Sequence, residues 1–103
     1  MYTQNVYNMH MIISFADKET EKIYNQFFSK KLPDNIQPIA LRKLIMLDNS
    51  ASLDDLRVPP SNHLEKLSGN RRGQYSIRIN DQYRICFNEM RGNFYDVEIT
   101  GYH

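Results

Sequence analysis

From His63 onward the apolar residues recur every second position. QYSIRIN, at 74–80, places Tyr75, Ile77 and Ile79 on one face and Gln74, Ser76, Arg78 and Asn80 on the other. YRICF, at 83–87, sends Tyr83, Ile85 and Phe87 inward and Arg84 and Cys86 outward. FYDVEI, at 94–99, follows with Tyr95, Val97 and Ile99 expected on the core face and Asp96 and Glu98 opposite. Asn80-Asp81 and Arg91-Gly92 separate these runs, and turns that short join only antiparallel neighbours. The C-terminal half is therefore expected to be an antiparallel meander. It starts with a short strand at HLEKL (63–67), followed by a glycine-bounded basic turn, Gly69-Asn70-Arg71-Arg72-Gly73.

The N-terminal half has a different period. MIISF, at 11–15, is short and β-branched and reads as a first strand. Asp17 is placed as an N-cap, and Ile23, Phe27 and Phe28 fall at helical spacing, predicting a helix over 17–30. Leu32-Pro33-Asp34 breaks it, because a residue before proline is pushed away from the helical region. A second helix is predicted over 34–48, with a stripe of Ile36, Ile39, Ala40, Lys43, Leu44 and Leu47. Pro38 is tolerated only in its first turn. Residues 49–62 form a long connection, in which Leu53, Leu56 and Val58 could anchor one helical turn. Residues 1–10, MYTQNVYNMH, have no sustained period and are expected to be a flexible extension; 11–103 is expected to be one domain. The resulting order is β-α-α-β-β-β-β, an α+β fold with a helical hairpin packed on one face of a mainly antiparallel sheet.

Composition narrows the function. The chain has 103 residues and a formal net charge of +1, so bulk charge does not announce a nucleic-acid binder. The distribution is more telling: from Lys66 to Arg84 there are five positive residues and one negative, Asp81. A stripe of arginines suits bidentate phosphate contacts, and it is also what a solvated face looks like. Cys86 is the one cysteine, and His10, His63 and His103 are not at ligand spacing, so no zinc cluster and no metal site are expected. Gly69 to Gly73 lies between strands and does not open a helix, which argues against a nucleotide-binding loop. No apolar run approaches the length of a membrane span, and a cytoplasmic location without a membrane partner is expected.

Acid–base chemistry with arginine support remains. Metal-free RNA cleavage needs a base for the ribose 2′-OH, a donor for the phosphorane charge and an acid for the departing 5′-oxygen. His63, Glu65, Lys66, Arg84, Tyr102 and His103 could supply these from one sheet face. Each also has a plainer reading. His63 and Glu65 can be solvated, His103 can be a frayed terminus, and Arg78 and Arg84 can be cross-strand ion pairs with an acid such as Glu98.

Three stretches together resemble a known family: MIISFADKETEKIY (11–24), the segment LPDNIQ to QYRICF (32–87), and YDVEITGYH (95–103). They are similar to the HigB branch of the RelE/ParE toxins, which are encoded with HigA antitoxins. The resemblance runs from Met11 to His103 and implies that Met11 is where such chains usually begin. It implies the RelE/ParE-like fold and a ribosome-dependent mRNA endoribonuclease with no cofactor, leaving a cyclic or 3′-phosphate and a 5′-hydroxyl. It implies as partners the 70S ribosome, mRNA and a helix-turn-helix HigA-type antitoxin, with operator DNA reached only through that antitoxin. By position, Arg84 matches the family's strand arginine on the scissile phosphate, and Tyr102-His103 the terminal Tyr-His that transfers protons. Gln82 matches a polar neighbour of that arginine, and Arg71 and Arg72 the basic loop on ribosomal RNA. The chain departs from patterns in the family at Gly101, where members often carry Asp, at Ser68, where some carry Lys, and at Glu65, where others carry His. Glu65 or Lys66 could therefore replace His103 in catalysis. A ParE-like gyrase inhibitor and a binding-only domain are the alternative readings.

Overall fold

A computed structural model of the chain describes residues 11–102. The expected flexible extension, 1–10, and His103 lie outside them. Two helices, α1 (Lys18–Tyr24) and α2 (Gln37–Asp48), precede four strands, β1 (Glu65–Lys66), β2 (Tyr75–Arg78), β3 (Tyr83–Met90) and β4 (Asn93–Gly101). The strands pair in sequence order, each antiparallel to the next. Local chemistry closes the two tight turns. Asn80 Oδ1 accepts the backbone N–H groups of Gln82 and Tyr83 at 2.8 Å each. Arg91 and Gly92 both take positive φ, 55° and 83°, as a two-residue hairpin requires.

The α+β class is as the sequence reading has it, and several boundaries move. Residues 11–15 make two isolated parallel bridges, Ile12 to Phe94 and Phe15 to Val97, in place of a first strand. The cause is a bulge in β4: one extra residue is inserted opposite Phe87, and Asp96 turns to φ 53°. The same insertion shifts the alternation. Phe94 is fully buried, and Tyr95, expected on the core face, is half-buried.

α1 begins where expected, with Asp17 Oδ1 accepting the Thr20 N–H at 2.7 Å. It stops at Tyr24, well short of residue 30. Gln26 takes the left-handed conformation, φ 67°, and the N–H groups of Gln26 and Phe27 return to the carbonyls of Ile23 and Lys22. That is a Schellman end built without glycine. It turns Phe27 and Phe28 outward, 66% and 61% exposed, although their spacing predicted burial.

α2 matches its predicted stripe. Ile36, Ala40, Leu44 and Leu47 are buried against Ile77, Ile85, Phe87 and Val97 of the sheet. Burying one such side chain contributes about 1.5–3 kcal/mol. Phe87 and Phe94 meet edge to face at 5.0 Å. Lys43, the polar member of the stripe, is buried and donates to Asn62 Oδ1, while Asn62 Nδ2 donates to the Leu56 carbonyl at 3.0 Å. This pair fastens the long connection to α2. Leu56 anchors that connection as expected, and Val58 is exposed. The first strand of the meander is two residues long, because His63 takes a left-handed conformation (φ 46°) just before it.

Candidate functional site

Strand register assembles the face away from the helices. Glu65 pairs with Ser76, Ser76 with Cys86, and Cys86 with Glu98; Arg78 pairs with Arg84, and Arg84 with Thr100. Directly paired residues project to the same side, so these seven side chains share one surface. Lys66 pairs with Tyr75 and belongs to the opposite side, at the sheet edge.

Arg84 lies between Arg78 and Thr100 in the row of that face nearest the Asn80-Asp81 turn. Its guanidinium lies over the Tyr102 ring, 5.0 Å from the centroid. Its Nε is buried and has no hydrogen-bond partner, the one such side-chain nitrogen or oxygen among the described residues. An unpaired buried donor costs about 1–3 kcal/mol, more when charged, unless something else accepts from it. Tyr102 is held by its own backbone, whose N–H donates to the Gln82 carbonyl at 2.8 Å. Burial raises the Tyr102 phenol above its ordinary pKa, and the Glu65 carboxylate adds to this while Arg84 and Arg78 oppose it. The phenol therefore keeps its proton at neutral pH.

Two concavities flank this pair and share Glu65. The first, about 290 Å³, is lined by His63, Leu64, Glu65, Arg78, Asn80, Asp81 and Tyr102. The second, about 500 Å³, is lined by Glu65, Lys66, Ser68, Arg71, Arg84 and Thr100 among others. Both are open; the first has a mixed polar and apolar lining and the second is mainly polar, as an extended charged ligand requires.

The structure thus brings Arg84, Tyr102, Glu65, Arg78 and His63 together. Lys66 reaches the rim of the second concavity from the sheet edge. Arg72 and Gln82 are exposed nearby. Arg71 is half-buried: its Nη1 donates to Glu98 Oε1 at 3.1 Å and to Gln74 Oε1 at 3.0 Å. The cross-strand ion pair considered for Arg78 and Arg84 with Glu98 is replaced by other pairings. Glu98 binds Arg71, and Arg78 binds Asp81 within the turn. His103 lies outside the described residues. Among the described residues, no three His, Cys, Asp or Glu side chains gather as metal ligands.

Asn80, Asp81 and Thr100 line the site without having been singled out as site residues. The position of Asp81, alone among five cations, was the available signal for one of them. Cys86, facing this side, is fully buried, and burial pushes its thiol pKa up. It acts as a packing residue.

Comparison with known proteins gives consistent matches. The model of a family described as the RelE-like toxin of type II toxin–antitoxin system HigB matches residues 13–102. Toxin HigB-1 of Vibrio cholerae serotype O1 (strain ATCC 39315 / El Tor Inaba N16961) is 41% identical over 83 residues, which is 80% of this chain and 87% of that protein. An uncharacterised protein of Haemophilus influenzae (strain ATCC 51907 / DSM 11121 / KW20 / Rd) is 46% identical over 57 residues, 55% of this chain and 56% of its own length. Among solved structures, a chain of the YoeB-YefM complex from Staphylococcus aureus superposes with a TM-score of 0.55 at 18% identity. The match covers 89% of this chain and 97% of that one and shows a shared fold.

Proposed function

The chain belongs to the HigB-like family of RelE-like toxins of type II toxin–antitoxin systems, and we propose that it is a ribosome-dependent mRNA endoribonuclease. The observation that carries this reading is the Arg84–Tyr102 pair: a guanidinium laid over the Tyr102 ring that lines the polar second concavity beside Glu65 and Lys66. A phosphate oxygen is the acceptor such a donor suits.

The chemistry follows from the residues present. Arg84 binds the scissile phosphate and stabilises the charge that builds on its equatorial oxygens. Glu65, His103 or Lys66 takes the proton from the 2′-OH, and the oxygen left behind attacks phosphorus. The bond to the 5′-oxygen breaks, and that oxygen receives a proton from His103 or from the Tyr102 phenol. The products are a cyclic or 3′-phosphate and a 5′-hydroxyl. The step needs no metal or cofactor.

Arg78 and His63 contact the message on one side, with Gln82 beside Arg84. The basic loop lies on ribosomal RNA through the exposed Arg72, while Arg71 is turned back onto Glu98. The antitoxin partner is of the HigA type, with a helix-turn-helix that carries the pair to operator DNA. No helix among the described residues is long and apolar enough to cross a membrane. A ribosomal target implies a cytoplasmic site of action.

Cell-free translation with purified 70S ribosomes and a defined message tests this. Wild type is compared with Arg84→Ala, His103→Ala and a chain lacking residues 102 and 103. Ribosome-dependent cuts within codons that vanish in Arg84→Ala are expected. Loss in His103→Ala makes His103 a proton-transfer group, and persistence moves that role to Glu65, Lys66 or Tyr102. No cuts by folded wild type overturn the nuclease reading and make DNA gyrase the next target.

A further inference from the structure

Glu98 is the acidic residue on β4 that shares the site face with Arg84. It sits opposite Cys86, and Arg84 sits opposite Thr100, two residues further along β4. Diagonal neighbours in an antiparallel pair lie about 7–8 Å apart, within reach of side chains as long as Glu and Arg. A carboxylate there would be expected to bind the Arg84 guanidinium and compete with any phosphate. It pairs with Arg71 instead. Arg71 Nη1 lies 3.1 Å from Glu98 Oε1, and both side chains are only 29% exposed. Gln74 Oε1 accepts from the same nitrogen at 3.0 Å and fixes its direction. Meanwhile Arg84 Nε remains buried without a partner.

We propose that Arg71 is a positioning residue that sequesters Glu98 and so keeps Arg84 available to the scissile phosphate. The proposal rests on the endoribonuclease reading for its effect on catalysis. It departs from the expectation that both loop arginines serve RNA directly. Arg72, exposed next to it, is free for that role, while Arg71 is turned back onto the sheet. The geometry also ties the basic loop to β4, so the loop and the site arginine keep a fixed relation.

Two substitutions separate the roles. In Arg71→Ala the freed Glu98 captures Arg84, and ribosome-dependent cleavage falls by roughly tenfold or more, the scale of one charge-assisted hydrogen bond to the phosphate. In Arg71→Ala/Glu98→Gln the competing charge is gone, and cleavage recovers to within about threefold of wild type. Neutralising the stranded Glu98 would also restore a fold damaged by Arg71→Ala, so melting temperatures are measured beside the rates: sequestration predicts slow cleavage by a single variant that is fully folded at the assay temperature. Capture is also read without catalysis, from the Arg84 Nε–H resonance in a proton–nitrogen NMR spectrum. It shifts in Arg71→Ala and returns in the double variant.

If the double variant stays as slow as the single one, Arg71 contacts RNA itself and the proposal fails. An Arg84 resonance unmoved by Arg71→Ala overturns it too. Wild type that does not cut, combined with a resonance that shifts and returns, sinks the endoribonuclease reading and leaves the sequestration standing. Should Arg71→Ala not fold, Arg71→Gln, which keeps part of the stem and removes the charge, replaces it.

Discussion

Arg84 lies over the ring of Tyr102, with 5.0 Å between guanidinium carbon and ring centroid. The contact fixes the guanidinium without using any of its N–H donors, and Arg84 lines the second concavity. A lysine at this position keeps the charge and loses the planar fork. Arg84→Lys is expected to lower ribosome-dependent cleavage by about 10²-fold, the scale for losing a preorganised donor. Stability should change by no more than ~1 kcal/mol, the size of a partly exposed cation–π contact. Parallel cleavage assays and urea melts check this. A comparable collapse of both would make Arg84 a structural residue.

The ribosome interaction is expected to be salt-dependent. Several Arg–phosphate contacts release counterions on binding, so affinity should fall linearly with salt on logarithmic axes. Arg72→Ala should lower that slope by about 0.7–0.9, the share of a single neutralised phosphate. Sedimentation with ribosomes across a salt series measures it, and an affinity indifferent to salt would refute the phosphate-contact model.

Tyr24 donates to the Asp48 carboxylate, and burial together with that acid pushes its pKa up to about 12. The ordinary tyrosine value is lower, so between pH 10 and 12 the unfolded chain loses this proton while the folded chain keeps it. Stability is therefore intact below pH 10 and declines as pH rises through that window. Allowing for partial exposure and solvent screening, the loss is on the order of 1 kcal/mol. Thermal melts across this alkaline range should show the decline, with a shallower slope in Tyr24→Phe.

Gln26 ends α1 in a conformation that costs a non-glycine residue about 1–2 kcal/mol. Gln26→Gly should stabilise the chain by ~0.5–1 kcal/mol, since part of the gain is offset by greater freedom of the unfolded chain. Chemical denaturation would detect this. A destabilised variant would mean that the glutamine side chain makes interactions that outweigh its backbone strain.

Asn62 is fully buried and joins Lys43 to the Leu56 carbonyl. Asn62→Ala strands a buried cation and a buried carbonyl at once. It should destabilise by roughly 2–4 kcal/mol, more than deletion of an ordinary surface amide. A loss under about 0.5 kcal/mol, the size of a surface change, would show that water replaces the amide at no net cost.

Local patterning alone specified the α+β class, the meander and the second helix. Period two between tight turns leaves few alternatives, and the stripe from Ile36 to Leu47 has one way to be buried. It also placed Arg78 and Arg84 on a common face, because alternation and turn length fix register. Long-range packing settled whatever depends on partners distant along the chain. The bulge at Asp96 put Phe94 in the core and reduced residues 11–15 to two bridges, and it depends on β4 fitting β3 on one side and residues 11–16 on the other. The early end of α1 came from a left-handed glutamine, where local spacing pointed onward to Phe27 and Phe28. The pairing of Glu98 with Arg71, leaving Arg84 unpaired, was likewise settled only in three dimensions. Several arginines lie within reach of one carboxylate, and the fold of the loop from Gly69 to Gly73 determines which of them arrives.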